Sequence, residues 1–138
     1  MSTQTFSALG VATSGMGAYK LWIDAIADNI ANIDNVTSTD QPAFQERFVT
    51  VKAVEGRDQV GDGVVVTGAA FGDPNGRISY EPTNPLADEN GMVRRPDINL
   101  SDQMVYIQLA QRGYQANINA FQRAREAYET ALTIGKRG

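Results

Sequence analysis

The stretch Met16–Phe44, "MGAYKLWIDAIADNIANIDNVTSTDQPAF", decides the fold, because a long helical pattern in it passes into a run rich in Asn, Thr, Ser and Asp. Its apolar residues belong to a series that advances by alternating steps of three and four along the chain. The series consists of Leu9, Ala12, Met16, Tyr19, Ile23, Ile26, Ile30 and Ile33. Such steps place side chains along one stripe of a helix, in the heptad repeat of a coiled coil. The pattern predicts a long N-terminal helix that ends within Asn32–Asn35, where Asn suits a helix terminus and Pro42 follows.

A second helical pattern occupies the C-terminal part of the chain. Asn99 or Ser101 can cap its start, and Asp102 places a negative charge in its first turn. Bulky side chains then recur every seven positions at Ile107, Tyr114, Phe121 and Tyr128, beside a column of small residues that includes Asn117. Asn117 allows two interpretations, a surface polar residue at the edge of the seam or a register-setting group inside a bundle. The pattern predicts a second long helix that ends near Gly135.

The middle of the chain has a different character, with frequent Gly and Pro and short runs of β-branched residues. The predicted strands are Arg47–Val54, Gly63–Gly68 and Arg77–Glu81, joined by turn sequences at Asp73–Gly76 and Ala87–Gly91. We therefore predict an α+β protein in which long N- and C-terminal helices pair as an antiparallel coiled coil around a small central β-rich segment of hairpins and loops. The predicted parts are 1–38 for the first helix, 39–98 for the outer β-rich segment and 99–138 for the last helix.

Composition excludes several classes of function. The chain has 138 residues, about one domain, and a net charge of -4, which argues against binding to nucleic acid. It contains no His and no Cys, so Ser-His-Asp and Cys-His catalysis, disulfides and Cys-ligated zinc are impossible. No apolar run is long enough for direct membrane insertion. Because no Lys or Arg precedes Lys20, an ordinary cleaved secretion signal is not expected.

The remaining acidic motifs do not predict a catalytic, metal or cofactor site. Asp34 and Asp73 lie in sequences that look like fragments of calcium loops, but neither has the spacing of an EF-hand. Asp88 and Glu89 form an adjacent acid pair that a glycosidase would use, although a solvated turn is the favoured interpretation. We expect no enzymatic activity, no metal and no cofactor.

The apolar faces of the two predicted helices are long and wide, and the rest of the chain is too short to cover them completely. We therefore expect an assembly subunit, although the pattern alone favours an intramolecular helical hairpin equally. A soluble coiled-coil adaptor that binds one partner without polymerising is the alternative function. The candidate assembly interface consists of Leu9, Met16, Tyr19, Ile23, Ile26, Ile30, Ile107, Tyr114, Phe121 and Tyr128.

Several blocks of sequence, taken in order, resemble those of bacterial flagellar rod and hook proteins. The run Ala27–Asn32 is similar to the Asn-Ile/Leu-Ala-Asn signature near the end of the N-terminal helix in that family. The other blocks are "QPAFQERFVTV" after the first helix, "NPLADENGMVRRPDIN" before the second, and "YQANINAF" and "ALTIG" within it. Asn29, Ile30, Ala31 and Asn32 occupy the signature, and Pro42 and Phe44 lie in the segment after it, with Phe44 where the family usually has Tyr. For Asn29 and Asn32, helix-end capping is favoured over a direct contact between subunits.

The resemblance implies a structural, non-enzymatic protein of the flagellar basal body. Such proteins leave the cytoplasm through the flagellar type III export apparatus without a cleaved signal, and they polymerise in the periplasm. Their terminal helices form an inner coiled-coil tube around the export channel that transmits torque, and their middle segments form an outer layer. The implied partners are further copies of the chain, other rod subunits of the FlgB, FlgF and FlgG types, a FliE-type adaptor and the export apparatus.

Overall fold

Two long helices pair along most of their length in the computed structural model, which describes residues 2–56 and 61–136, with side chains from residue 7 onward. Helix α1 spans Ser2–Asn32 and helix α2 spans Leu100–Gly135. Tyr19 lies against Gly113, and Asn29 contacts Gln103, so positions that advance along α1 retreat along α2. The helices are therefore antiparallel, as predicted.

Helix α2 begins at a side-chain cap. The Oδ1 atom of Asn99 accepts hydrogen bonds from the backbone N–H groups of Ser101 at 2.8 Å and Asp102 at 3.3 Å. These bonds satisfy donors that have no partner within the first turn of a helix. Asn99, and not Ser101, is thus the N-cap, and Asp102 supplies the acidic charge of the first turn.

The first hairpin runs along α1. Strand β1 spans Arg47–Glu55 and strand β2 spans Gly61–Phe71, and they pair antiparallel with irregularities at two points of the register. The backbone N–H of Val64 donates to Ser14 Oγ at 3.1 Å, which fastens the hairpin to the helix. A two-stranded ribbon is marginal alone, so the contact with α1 supports this one.

The second hairpin includes a strand that the sequence analysis did not predict. Strand β3 spans Arg77–Tyr80 and pairs antiparallel with β4, Met92–Arg95. The run of β4 has two Arg residues and no alternation of apolar and polar positions, so it carries little strand signal. Pairing with β3 and burial of Val93, which is 0% exposed, stabilise it instead. Among the described helices and strands, β3 and β4 contact only each other.

The core is thin. The buried apolar side chains of the described residues are Ala12, Ile26, Ala43, Val93, Ile98 and Ala110. The chain is α+β with paired terminal helices and two small central sheets, which confirms the predicted fold class. The division into 1–38, 39–98 and 99–138 stays a prediction.

Candidate assembly interface

The two helices approach closely where each carries a glycine. A Cβ atom on Gly15 would lie 2.7 Å from Cγ of Asn117, and one on Gly113 would lie 2.8 Å from Cε2 of Tyr19. Any larger residue would therefore push the helices apart at these points. Asn117 lies in this contact, is half-buried and donates to the carbonyl of Gly113 in its own helix at 2.8 Å, so both of its interpretations stay open.

Aromatic side chains extend the contact between the helices. The ring centroid of Trp22 lies 6.2 Å from that of Tyr19 and 6.2 Å from that of Tyr106 on α2. Tilted rings at this spacing interact favourably beyond the apolar area they bury. These rings therefore help to hold the middle of α1 against α2.

A buried network of amides connects α1, α2 and β1. Asn29 is 1% exposed, and its Nδ2 donates to the carbonyl of Arg47 at 3.0 Å and to Oε1 of Gln103 at 3.1 Å. Its Oδ1 accepts from the backbone N–H of Arg47 at 2.8 Å. Gln103, also 1% exposed, donates from Nε2 to Glu46 at 2.6 Å. We call Asn29, Gln103, Glu46 and Arg47 the amide network.

The two signature asparagines have different roles. Asn32 donates from Nδ2 to the carbonyl of Asp28 at 2.8 Å, in the last turn of α1, which fits a helix-end residue. The prediction of helix-end capping was wrong for Asn29, because its bonds lead to β1 and α2 and not to the end of its own helix. Sequence alone could not show this, since Gln103 is 74 positions away.

The other signature positions lie in the last turns of α1 and in the loop that follows it. Ile30 is half-buried and Ala31 is exposed. The carbonyl of Pro42 accepts from Thr37 Oγ1 at 3.3 Å, which shapes the loop after α1. Phe44 is half-buried, and the guanidinium carbon of Arg47 lies 5.4 Å from its ring centroid, within the range of a cation–π contact.

Most predicted interface residues lie on the facing sides of the two helices and are incompletely covered. Ile26 is the exception, because at 1% exposure it is part of the core of the single chain. The half-buried positions are Leu9, Met16, Tyr19, Ile23 and Ile30 on α1, and Ile107, Tyr114, Phe121 and Tyr128 on α2. A contact with other subunits at these positions stays a prediction.

Helix α2 also has a second apolar side that no described residue covers. It lies about 100° around the helix from the buried Ala110, and its apolar members, all exposed, are Val105, Leu109, Ala116, Ala120, Ala127 and Ile134. We call these residues the outer face of α2. The charged Asp102 and Arg123 lie on the same side of the helix. Val105 is 55% exposed, Leu109 49% and Ile134 69%, although all three are large apolar side chains. The seven-residue periodicity at Ile107 and beyond did not indicate this face.

Charged side chains fix the second hairpin. Nε of Arg95 lies 2.6 Å from Oε1 of Glu81, and NH1 of Arg95 lies 4.0 Å from Asp34. The hydrogen bond from Arg95, followed by one from Asn84, lowers the pKa of Glu81 below its ordinary value. Arg94 donates to the carbonyl of Thr39 at 2.7 Å. These bonds attach β3 and β4 to the loop after α1.

The acidic motifs form turns. Oδ1 of Asp88 accepts from the backbone N–H groups of Asn90 and Met92, each at 2.9 Å, and Thr39 donates to Oδ2 at 3.1 Å. The bond from Met92 is the main reason that the pKa of Asp88 is lowered. Asp73 likewise accepts from the N–H of Asn75 at 2.8 Å. Within residues 2–56 and 61–136, no group of three or more acidic side chains is placed to hold a metal ion.

Three residues of this site were not identified from the sequence. They are Gln103, Glu46 and Gly113, none of which belongs to an apolar series of the sequence. One sequence signal could have indicated Gln103. This residue lies seven residues before Ala110, and residues seven apart share one side of a helix, here the side that faces α1.

In the described part of the chain, neither α1 nor α2 has an apolar stretch long enough to span a bilayer.

Comparison with known proteins identifies relatives over nearly the whole chain. Residues 89–134 match the family model described as the C-terminal part of flagellar basal body rod FlgEFG proteins. The flagellar basal-body rod protein FlgC of Salmonella typhimurium is 32% identical over 126 residues, which cover 91% of this chain and 94% of the relative. FlgC of Aquifex aeolicus is 34% identical over 131 residues, covering 95% and 97%. FlgC of Bacillus subtilis is 25% identical over 147 aligned positions, covering 95% and 98%.

The regions aligned with these relatives cover more than nine tenths of the chain. They therefore extend well beyond the C-terminal helix and include the signature at Asn29 and both hairpins. The chain belongs to the FlgC family of flagellar basal-body rod proteins.

Proposed function

We propose that this chain is a structural subunit that polymerises through its terminal helices into part of the flagellar rod. The resulting tube transmits torque and surrounds the export channel, and the chain performs no catalysis. The family assignment supports a structural rod role, and the surface of the single chain supports polymerisation.

The observation that carries the proposal is the excess of exposed surface. The accessible surface is 9471 Å² for a mass of 14.9 kDa. A compact monomer of this mass exposes roughly 7,000 Å². The excess of roughly 2,400 Å² is about three times the area that one partner buries in a standard interface. A chain of this shape is suited to contacts with several neighbours.

The uncovered surface of α2 indicates where those neighbours bind. Of its 36 residues, only Gln103 and Ala110 are buried. The outer face of α2 presents Leu109 and Ile134 at its two ends and alanines between them, so another helix could approach closely. We propose that residues 1–38 and 99–138 form the inner layer of the tube, and that 39–98 form the outer layer.

The proposed partners follow from the family. They are further copies of the chain, rod subunits of the FlgB, FlgF and FlgG types, a FliE-type adaptor and the flagellar export apparatus. We propose that the chain passes through this apparatus without a cleaved signal and assembles in the periplasm.

A matched pair of substitutions on α2 tests the proposal. Ala120→Glu places a charge on the outer face of α2, whereas Gln122→Glu places the same charge on an exposed position of another side. We expect Ala120→Glu to abolish incorporation into basal bodies and motility, because a long charged side chain replaces a methyl group where a neighbouring helix would approach closely. Gln122→Glu should leave both unchanged. If both variants incorporate normally, the outer face of α2 is not an assembly surface.

Sedimentation distinguishes polymerisation from the alternative adaptor function. Purified chain mixed with other rod subunits should form complexes whose size grows with concentration. A closed complex of constant size at every concentration would favour the adaptor.

A further inference from the structure

An apolar groove lies between α1 and the first hairpin. Its volume is about 440 Å³, and its walls include Val11 and Trp22 of α1, Val51 of β1 and Val64 of β2, with Asn117 of α2 at one side. We call it the hairpin groove. A space of this size is far larger than the voids in close-packed protein interiors.

The hairpin groove is lined for an apolar occupant. Val51, on the wall of the groove, is 53% exposed. The hydrogen bond from Val64 to Ser14 holds the hairpin on α1 beside the groove. Apolar walls with a small number of polar groups are typical of sites that bind apolar side chains. Because the hairpin is fastened on either side of the groove, by Ser14 and by the amide network, closure onto α1 would strain these bonds.

The C-terminal end of α2 carries exposed apolar side chains. Gly15 lies opposite Asn117, so Ser2, thirteen positions before Gly15, lies level with about Thr130 on the antiparallel helix. The last turn of α2 therefore extends past the start of α1. In this turn Leu132 is 47% exposed and Ile134 is 69% exposed, the highest value among the large apolar side chains in the described ranges.

Charges at the two places are complementary. Asp62 is exposed and directly precedes Gly63, which lines the groove. Lys136 is exposed and directly follows α2. Neither side chain takes part in an ion pair with another residue of the described ranges, so both are available to a neighbour.

We propose that the hairpin groove of one copy accepts the end of α2 of a second copy, with Ile134 as the apolar anchor and Lys136 beside Asp62. Two different patches that bind each other form a heterologous contact, which generates open helical assemblies and not closed dimers. Ile134 would take part in this contact, which leaves the outer face of α2 from Val105 to Ala127 for a neighbouring helix, and the excess surface is large enough for both contacts. The inference rests on the proposed function and names one pair of surfaces that the polymer uses.

Disulfide trapping tests the contact, because the chain has no cysteine of its own. Val51→Cys and Ile134→Cys are produced as separate chains in the same cells, each variant having first been checked for motility alone. Basal bodies are then isolated and oxidised. We expect an adduct of two chains, since only cysteines whose Cα atoms approach to about 7 Å can be joined. The control pairs Ile134→Cys with Ile78→Cys, which is 52% exposed on the second hairpin and should give no adduct.

A charge exchange gives a second measurement that leaves the groove walls intact. Asp62→Lys alone and Lys136→Glu alone should each lower incorporation into basal bodies, by up to about fivefold for an exposed pair. The double variant should recover it. The inference would be overturned if motile cells gave no adduct between Val51→Cys and Ile134→Cys and if the double charge variant did not recover incorporation. The proposed function would then still stand. Equal adduct with the Ile78→Cys control would also overturn the inference, whereas wild-type chain absent from basal bodies would contradict the proposed function itself.

Discussion

The side-chain amide of Asn29 donates a hydrogen bond to Oε1 of Gln103, 3.1 Å away across the contact between the two helices. The same Asn29 exchanges two bonds with the backbone of Arg47, at the start of β1. One buried side chain of the signature therefore joins three elements of the fold. This arrangement places the first hairpin at a fixed position on α1, and hence positions the hairpin groove.

Asn29→Ala should lower the free energy of unfolding by about 1–3 kcal/mol, because it leaves Oε1 of the buried Gln103 and the N–H of Arg47 without the hydrogen bonds that Asn29 makes. Urea denaturation followed by circular dichroism measures the effect. Asn119→Ala, at an exposed position of α2, is the control and should change stability by less than about 0.5 kcal/mol. Equal effects of the two substitutions would show that the amide network contributes little.

Gly113→Ala should destabilise the chain by about 1–3 kcal/mol, since a methyl group there would overlap the ring of Tyr19. Gly17→Ala is the matched control, because no atom lies within 4 Å of a Cβ at that position. There the better helix propensity of Ala should raise stability by up to about 1 kcal/mol. Thermal unfolding of both variants checks the opposite signs, and a stabilising Gly113→Ala would show that the helices do not meet as described.

Ile26→Ala should lower the stability of the isolated chain by about 2–5 kcal/mol, because Ile26 is 1% exposed within it. Leu109→Ala removes a similar side chain that is 49% exposed, and it should change the unfolding free energy by less than about 0.5 kcal/mol. Its effect should instead appear as reduced incorporation into basal bodies. A Leu109→Ala variant that unfolds early yet assembles normally would reverse these assignments.

The contact between Arg95 and Glu81 should make stability depend on pH in the acid range. The hydrogen bond from Arg95 places the pKa of folded Glu81 below 4.5, its ordinary value. The stabilisation is therefore complete above pH 4.5 and is lost as the pH falls through the lower, folded pKa. Glu81→Gln should remove this part of the pH dependence, as measured by denaturation between neutral and acid pH. Arg95→Gln should remove the same part, and an unchanged profile in both variants would contradict the assignment.

The helices could be predicted because their signals are local. The steps of three and four from Leu9 to Ile33 record which side of α1 is covered, and Asn99 caps α2 with its own side chain. The β-branched runs at Arg47 and Gly63 indicated the first hairpin for the same reason.

The remaining features depend on partners that are distant in sequence. Strand β4 forms because Val93 is buried and because β3 pairs with β4. The sequence of its four residues indicates neither of these interactions. The role of Asn29 depends on Gln103, and the value of Gly113 depends on Tyr19. The outer face of α2 was missed because three of its six positions are Ala, which weakens the apolar periodicity.

Electron cryomicroscopy of the assembled rod, at a resolution that shows side chains, tests the central claim most directly. The quantity to measure is the exposed fraction of Val105 and Leu109, which are 55% and 49% exposed in the single chain. We predict that both are covered by helices of neighbouring subunits. Density in which these side chains face solvent or the open channel would contradict the account.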